Sequence, residues 1–267
     1  MCAEINPVWQ NVNATHSTYA TINPMQPPRP FAVFDIDGTL IRWQLFHAIV
    51  HTLGKQGHLP AGAHERIKQA RMEWKDRTTN NGFSTYENVL VQEYLAALKQ
   101  IGSTQYQAVV DEVYAEYKDQ TFTYTRDLII DLKAKGYVLL AISGSQQDVI
   151  QKLAAHHGFD VAVGATLEQI DGKFSGAITT PIFDKAKVLR QLIAEHNLTT
   201  TGSIAVGDST SDVPMLELVE QPIVFNPDKK LFAEAAKRKW KIVVERKNMV
   251  YELESGDGRY FLNEPRG

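Results

Sequence analysis

The sequence predicts an α/β fold built on a mainly parallel sheet. Continuous apolar runs that end at turn residues or polar residues have the character of buried strands. Helical patterns follow two of these runs, at about 145–157 and 212–219. Strands that alternate with helices are typical of a parallel sheet covered by helices. The predicted strands are 31–34, 137–142, 203–206, 222–225 and 241–244.

The first 29 residues precede this pattern and differ from it. They are polar, show no apolar periodicity and run into a proline-rich stretch. Such a composition buries too little apolar surface to order a chain, so residues 1–29 are predicted to be a disordered or loosely docked leader. No charged start is followed by an apolar stretch, and no signal peptide is expected.

The stretch from 45 to 122 contains no convincing strand. Its apolar residues recur at helical spacing, which predicts three or four helices packed as a small bundle. We therefore expect an α/β core at 30–44 and 123–267, with a helical cap at 45–122 inserted after the first strand. Two hairpins are also predicted, at 165–178 and 249–262, because each contains a glycine turn between apolar flanks.

The composition limits the classes of function. The chain has 267 residues, 43% hydrophobic and 22% charged, which are ordinary globular values. The net charge of −3 gives no basic excess for nucleic acid. No apolar run reaches the length of a membrane span. The single cysteine, Cys2, excludes an internal disulfide and fits a reducing, cytoplasmic compartment.

Two aspartates, Asp35 and Asp37, follow the first predicted strand. An ordinary turn also contains Asp-Gly at such a point. Ligands in open α/β sheets bind at the carboxyl ends of strands, however, and two carboxylates there repel each other unless a cation offsets their charge. Magnesium prefers oxygen ligands of this kind. Backbone alternation would aim the two side chains differently, so that one could act as a nucleophile while the other handles a proton.

The second and third main strands are also followed by polar residues. Ser143 and Gly144 come after the second strand, where a serine is a common helix N-cap. A hydroxyl and free N–H groups at a helix start also form a natural phosphate site. Asp208 and Asp212 come after the third strand, where acids complement a helix dipole. Asp208 is equally placed to ligate a metal held by Asp35.

A cation is the missing part of such an anionic site. Lys185 and Lys187 open a predicted helix at 184–197. Most such lysines are solvated surface charges, but a transferring phosphoryl group needs positive partners for its oxygens. The residue types alone leave open which of the two lysines supplies the charge.

In chain order, these residues resemble the motifs of the haloacid dehalogenase superfamily of phosphatases. The resemblance is carried by segment 35–39 (Asp-Ile-Asp-Gly-Thr), Ser143, Lys185 and segment 207–212 (Gly-Asp-Ser-Thr-Ser-Asp), and it covers nearly all of residues 30–245. It implies a Rossmann-like core and a hydrolase acting on phosphate monoesters, with Mg²⁺ as cofactor.

The resemblance also implies roles for the acidic residues. Asp35 would be the nucleophile that forms an aspartyl-phosphate, and also a metal ligand. Asp37 would act as general acid and base, and would touch magnesium through its backbone carbonyl. Asp208 would be the third metal contact, and Asp212 would hold the metal shell in place.

The phosphoryl oxygens would be bound by the remaining motif residues. The resemblance assigns this role to Ser143, with Gly144 beside it, and to Lys185. It favours Lys185 over Lys187 by alignment. The expected partner is a small phosphate ester, with no nucleic acid and no membrane.

The position of the insertion indicates the branch of the superfamily. The first and second motifs are 143 − 35 = 108 residues apart, whereas the second and last are 208 − 143 = 65 apart. A helical cap between the first two motifs is similar to the phosphoserine phosphatase branch. Two positions depart from that branch: Gln44 stands where it usually carries glutamate, and Gly38 where it favours serine. Another small metabolite phosphate is therefore at least as well supported as phosphoserine.

Two alternatives remain open. A phosphomutase or other phosphotransferase of the same fold keeps both aspartates, and a closing cap favours transfer by excluding water. A non-catalytic binding module is the contrasting class, and the presence of all the motif residues argues against it. Five cap residues are candidates to line a substrate pocket: Trp43, Phe46, His47, Arg71 and Trp74. Ordinary packing explains each of them when it is taken alone.

Overall fold

The computed structural model of the chain describes residues 9–10, 27–77, 82–247, 249–256 and 259–262. These residues form one mixed sheet with helices on both faces, which confirms the predicted α/β fold. The strands are β1 (Trp9–Gln10), β2 (Arg29–Phe34), β3 (Val138–Gln146), β4 (Val161–Ile170), β5 (Lys173–Thr179), β6 (Leu198–Gly207), β7 (Gln221–Phe225), β8 (Lys241–Arg246), β9 (Met249–Gly256) and β10 (Arg259–Leu262).

Helices connect most of the strands. Short 3₁₀ helices at Pro181–Phe183 and Thr210–Asp212 precede α7 and α8. The α-helices are α1 (Leu45–Lys55), α2 (Ala63–Lys75), α3 (Gly82–Leu98), α4 (Ser103–Tyr117), α5 (Thr123–Ala134), α6 (Gln147–His157), α7 (Lys185–Glu195), α8 (Val213–Leu216) and α9 (Lys229–Arg238). No helix within the described part of the chain is both long enough and apolar enough to cross a membrane.

The strand order is β1-β5-β4-β3-β2-β6-β7-β8-β9-β10. The six central strands, from β4 to β8 in this order, pair in parallel. The chain moves outward from β2 through β3 and β4, and then returns to β6 on the other side of β2. The connections therefore reverse direction at β2, where an open α/β sheet places its ligand site.

Alternating residues of β2 explain why both faces of the sheet are covered. Ala32 and Phe34 lie in a buried cluster with residues of α1, α3, α4 and α6. Phe31 and Val33 lie in a second cluster, with residues of α7, α8 and α9. All four side chains are 0% exposed, as expected for a central parallel strand.

Four of the helices, α1 to α4, fall within the predicted cap at 45–122. They follow β2 directly, and the chain returns to the core at α5, a helix that the sequence patterns do not single out. The outgoing crossing (residues 40–42) and the returning crossing (residues 120–124) are hydrogen-bonded to each other. The Arg42 N–H donates to the Gln120 carbonyl at 2.8 Å, and the Phe122 N–H donates to the Leu40 carbonyl at 2.9 Å. The division into a separate cap and core stays a prediction.

Both predicted hairpins are present. β4 and β5 are joined by Asp171 and Gly172, whose φ values of +51° and +74° suit a tight two-residue turn. β9 and β10 pair antiparallel, and the middle of their turn, at 257–258, lies outside the described residues.

Three local predictions need correction. The helix predicted at 212–219 is shorter, because a 3₁₀ turn precedes α8 and α8 ends at Leu216. Ser143 is not a helix N-cap, since α6 starts only at Gln147. Trp9–Gln10, inside the predicted disordered leader, pair in parallel with β5, because the open edge of a sheet can accept an extended segment. Residues 1–8 and 11–26 of that leader lie outside the described residues.

The buried carboxylate of Glu245 ties β8 to the returning crossing. It accepts from the Thr123 N–H at 3.1 Å and from the Tyr124 N–H at 2.9 Å, and so satisfies two free donors at the start of α5. It also forms an ion pair with Arg42 of the outgoing crossing. One side chain therefore fixes both crossings to the core.

We predict that Glu245→Ala lowers the free energy of unfolding by about 2–3 kcal/mol, because it leaves two helix donors without their acceptor and removes the ion pair with Arg42. Urea unfolding would measure the change. Glu254→Ala, an exposed acid on the neighbouring strand, is the matched control and should stay within about 0.5 kcal/mol of the wild type. Equal stability of the Glu245 and Glu254 variants would contradict the role of Glu245.

Candidate active site

Three carboxylates meet at the carboxyl ends of the central strands. Asp35 follows β2, while Asp208 and Asp212 follow β6, the parallel neighbour of β2. One oxygen from each lies within 4.8 Å of those of the other two. Asp35 is 5% exposed and Asp212 is 0% exposed, so their charges need partners within the protein.

Lys185 supplies the positive charge. Its ammonium nitrogen lies 2.6 Å from Oδ1 of Asp35 and 2.6 Å from Oδ1 of Asp212, and the residue is 2% exposed. Burial works to lower the pKa of Lys185, but the two carboxylates outweigh it and raise that pKa. Burial raises the pKa of Asp35 well above its usual range, and Lys185 opposes part of that rise.

The structure separates the two candidate lysines. Lys185 is the first residue of α7 and points into the site, whereas Lys187 is exposed. The Asp184 carboxylate caps this helix by accepting from the Lys187 N–H at 2.9 Å. A helix begun at this point directs Lys185 inward, and only Lys185 joins the acid cluster.

Asp212 organises the loop that carries Asp208. Its Oδ2 accepts hydrogen bonds from the backbone N–H groups of Asp208, at 3.1 Å, and Ser209, at 2.9 Å. The Ser209 hydroxyl donates to the same oxygen at 3.0 Å. Gly207 makes this turn possible, because a Cβ there would lie only 2.5 Å from the Asp212 Cβ. Asp212 therefore positions Asp208 through the backbone while it pairs with Lys185.

Asp208 lies against the loop that follows β2. The Thr39 hydroxyl donates to its Oδ1 at 3.3 Å. Gly38 has φ +84°, and a Cβ there would lie 2.3 Å from Oδ2 of Asp208. Burial, with Asp212 as the next cause, raises the pKa of Asp208 to about 7. In this chain, glycine at position 38 therefore fits both the backbone conformation and the close approach of a carboxylate.

Asp37 faces a different group of residues. Its Oδ1 accepts from the backbone N–H of Leu45 at 2.6 Å, at the start of α1. Its Oδ2 accepts from the Ser143 hydroxyl at 2.7 Å. Burial raises the pKa of Asp37, and these hydrogen bonds oppose part of the rise. The two aspartates of the first motif therefore have separate surroundings, as the backbone alternation predicts.

Ser143 and Gly144 lie in an irregular part of β3. Between Ile142 and Gln146 the strand advances four residues, while its partner β4 advances only two, from 163 to 165. This bulge explains why the helix predicted from about 145 begins later. The Ser143 hydroxyl accepts from the Ser145 N–H at 3.0 Å, and a Cβ on Gly144 would lie 3.1 Å from Ile182.

Two contacts of the site were not predicted from the sequence. The Leu45 N–H at the start of α1 binds Asp37, and the Phe46 N–H donates to the Ser145 hydroxyl at 3.0 Å. Backbone donors carry no signal in residue type. The only indication is the predicted start of a helix soon after the first motif, since such a start exposes free N–H groups.

The carboxylate cluster fits a hard divalent cation. Its donors are all oxygen, and they converge without being fully neutralised by Lys185, whose single charge faces three acids. Asp35 and Asp208 have oxygens free of strong hydrogen bonds within the described chain. The side chain of Asp37 is outside the cluster, so its expected metal contact through the backbone carbonyl stays a prediction.

Comparison with known proteins adds a second line of evidence. Residues 32–217 match the family model described as haloacid dehalogenase-like hydrolase. A histidinol-phosphatase of Neisseria meningitidis is 30% identical over 220 residues, which are 79% of this chain and 97% of that protein.

Two further matches concern phosphoserine phosphatases. One from Mycobacterium tuberculosis is 28% identical over 197 residues, or 73% of this chain, but the match spans only 43% of that protein's length. A solved phospho-aspartyl intermediate analogue of phosphoserine phosphatase has a TM-score of 0.58 at 21% identity, covering 84% of this chain and 96% of the other. At that identity the likeness concerns the fold.

We predict that Gly38→Ala weakens Mg²⁺ binding at least about tenfold, equivalent to about 1.4 kcal/mol, because the new methyl group displaces the Asp208 carboxylate. Calorimetric titration would measure the affinity. Gly57→Ala is the control: Gly57 also has positive φ, +75°, but no atom lies within 4 Å of the point that its new methyl group would occupy. Similar losses in both variants would assign the effect to general backbone strain.

Proposed function

The chain belongs to the haloacid dehalogenase-like hydrolases, and on that basis we propose that it is a magnesium-dependent phosphatase with Asp35 as its nucleophile. The observation that carries the proposal is the convergence of Asp35, Asp208, Asp212 and Lys185 at one point, where β2 and β6 end. Covalent catalysis through an aspartyl-phosphate divides one difficult displacement into two easier ones.

In the first step, a carboxylate oxygen of Asp35 attacks the phosphorus of a phosphate monoester. The bond from phosphorus to the ester oxygen breaks, and the leaving oxygen takes a proton from Asp37. Lys185 holds Oδ1 of Asp35, which leaves Oδ2 for the attack, since no described residue donates a hydrogen bond to it. The ammonium of Lys185 offsets charge on the transferring phosphoryl group.

In the second step, Asp37 removes a proton from water as the water attacks the aspartyl-phosphate. The bond between phosphorus and the Asp35 oxygen breaks, which releases inorganic phosphate and restores both aspartates. The raised pKa of Asp37, caused first by burial, suits a group that both gives and takes a proton. Its bonds to Ser143 and Leu45 fix its direction.

Mg²⁺ would be held by Asp35 and Asp208, with Asp212 fixing the loop and the Asp37 carbonyl as a further ligand. When bound, the ion neutralises charge on the substrate and orients the reacting groups. Ser143 and Gly144 are proposed to bind phosphoryl oxygens together with Lys185. The Ser143 hydroxyl already lies 2.7 Å from Asp37, beside the path of the proton.

The substrate is proposed to be a small phosphate monoester, with phosphoserine as one candidate. The relatives named histidinol-phosphatase and phosphoserine phosphatase support this class. The neutral Gln44 distinguishes this chain from the phosphoserine phosphatase pattern. Transfer to a second metabolite uses the same two aspartates, and it would be recognised by a phosphorylated product formed without equivalent release of phosphate.

We predict that the wild type releases phosphate from p-nitrophenyl phosphate only with Mg²⁺, and that Asp35→Asn lowers kcat by about 10⁴-fold or more, because an amide oxygen is a poor nucleophile. Lys187→Ala, at an exposed position next to the site, is the control and should retain activity. Substantial turnover by the Asp35 variant, or activity unaffected by chelators, would refute the proposal.

A second prediction concerns the acid–base group. Asp37→Asn should slow both steps by about 10²–10⁴-fold, since an amide neither gives nor takes the proton. Because hydrolysis of the intermediate needs the base, phosphorylated protein should accumulate with an ester whose leaving group needs no acid. Intact-protein mass spectrometry would detect the added phosphoryl group. An unchanged rate would remove Asp37 from this role.

A further inference from the structure

A cavity of about 650 Å³ lies between α1, α2 and the last turn of α4. Its size is within the usual range for small-molecule sites. The described residues that line it include none of those proposed for catalysis, phosphate binding or metal binding. Leu45, which contacts Asp37, begins α1, whereas Lys55, which lines the cavity, ends it about 15 Å further along. The cavity is therefore not part of the acid cluster.

The walls of this cavity are strongly basic. The basic residues that line it are Lys55, Lys68, Arg71, Lys75, His51 and His64. Glu116 is the one acid among the described lining residues. With four permanent cations and neutral histidines, the described walls carry a net charge of +3, although the whole chain carries −3.

The chain does not neutralise this charge. None of the four permanent cations forms an ion pair with a residue that the structure describes. Glu65 and Glu73 also belong to α2 but do not line the cavity. The positive charge is therefore concentrated on the concave side of the helix.

The spacing on α2 places its cations on one face. His64, Lys68, Arg71 and Lys75 follow one another at intervals of four, three and four residues. Side chains at these intervals are neighbours on a helix, and like charges there destabilise it. An anion bound along this face would remove the repulsion.

The cations of α1 face the same space. His51 and Lys55 are four residues apart, one helical turn, and both line the cavity. Burial, followed by the charges of Arg71, His64 and Lys55, lowers the pKa of His51. Cations of both helices thus act on one imidazole, so the two basic faces are close enough to share a ligand.

The extent of the basic face indicates the kind of anion. From His64 to Lys75 the face of α2 is about 16 Å long, so a single phosphate group is too small to contact all of its cations. Guanidinium groups such as that of the half-buried Arg71 bind phosphate oxygens in pairs, whereas lysines act as point charges. Linked phosphate groups match such a row of cations.

We propose that this cavity is a binding site for an oligophosphate, a small anion with two or more linked phosphate groups, either free or as the phosphate chain of a nucleotide. Lys68, Arg71 and Lys75 bind it from α2, and Lys55 binds it from α1. The cations line a concave space, which suits a small anion better than an extended acidic macromolecule. The site goes beyond the proposed phosphatase activity and does not depend on it.

Binding is tested by calorimetric titration of the full chain with tripolyphosphate. EDTA in the buffer removes Mg²⁺, which would otherwise complex the ligand and permit turnover. We expect tripolyphosphate to bind at least about tenfold more tightly than orthophosphate, since it contacts more cations. The affinity should fall as salt is added, because ions screen contacts between exposed charges.

Adenosine triphosphate distinguishes the two sources of the phosphate chain. Trp43, which is 39% exposed, and Tyr117 also line the cavity, and aromatic rings stack on nucleotide bases. Binding of adenosine triphosphate at least about tenfold more tightly than tripolyphosphate would identify a nucleotide. Equal or weaker binding would identify the free oligophosphate.

Variants assign the binding to the cavity. Lys68→Gln with Lys75→Gln should weaken tripolyphosphate binding at least about tenfold, because two of the cations are lost. Lys99→Gln with Lys173→Gln is the control. It removes the same charge at exposed positions outside the cavity and should change the affinity less than about twofold. Without ligand, the Lys68 and Lys75 variant should melt at the same or a higher temperature, since fewer like charges repel on α2.

Three results would overturn the inference. Tripolyphosphate could bind no more tightly than orthophosphate, or its binding could be unchanged by the Lys68 and Lys75 substitutions or weakened equally by the control pair. A lower melting temperature of the Lys68 and Lys75 variant would also contradict it, because these charges would then stabilise the chain without a ligand. None of these results bears on Mg²⁺-dependent release of phosphate from p-nitrophenyl phosphate, which tests the phosphatase proposal separately.

Discussion

The buried ammonium group of Lys185 lies between two carboxylates that come from different strands, and the arrangement of the site depends on it. Without this charge, Asp35 and Asp212 would repel each other in surroundings where neither is solvated. With it, Asp212 is free to use its other oxygen on the backbone of the Asp208 loop. One lysine at the first position of α7 thus pairs with two of the acids directly and is connected to the third, Asp208, through Asp212.

Much of the core could be predicted because continuous apolar runs mark buried strands, and the polar residues after them fall at one edge of the sheet. The details that could not be predicted depend on how neighbouring strands pair and in which register. Whether Ser143 starts a helix or stays in a strand is decided by the register shift against β4, which no local pattern encodes. The helix α5 is not singled out by the sequence because its apolar residues do not keep to one face: Ile129 is buried, whereas Ile130 is 63% exposed.

The residues of the site also divide into features that the sequence predicts and features that only the fold decides. Asp35, Asp208 and Lys185 have residue types and positions that suggest their chemistry, and the fold brings them together. Which lysine points inward follows from where α7 begins, which Asp184 decides as its cap.

The hydrogen bond from Leu45 to Asp37 has a consequence for how binding and chemistry are connected. The donor is the first residue of α1 and the acceptor follows β2, and this bond is one of the influences that lower the Asp37 pKa. If α1 moves away, the carboxyl group holds its proton more tightly; if α1 returns, the group releases it more easily. Under the proposed mechanism, the seating of α1 over a substrate would therefore lower the proton affinity of Asp37, the residue that we propose gives up a proton next.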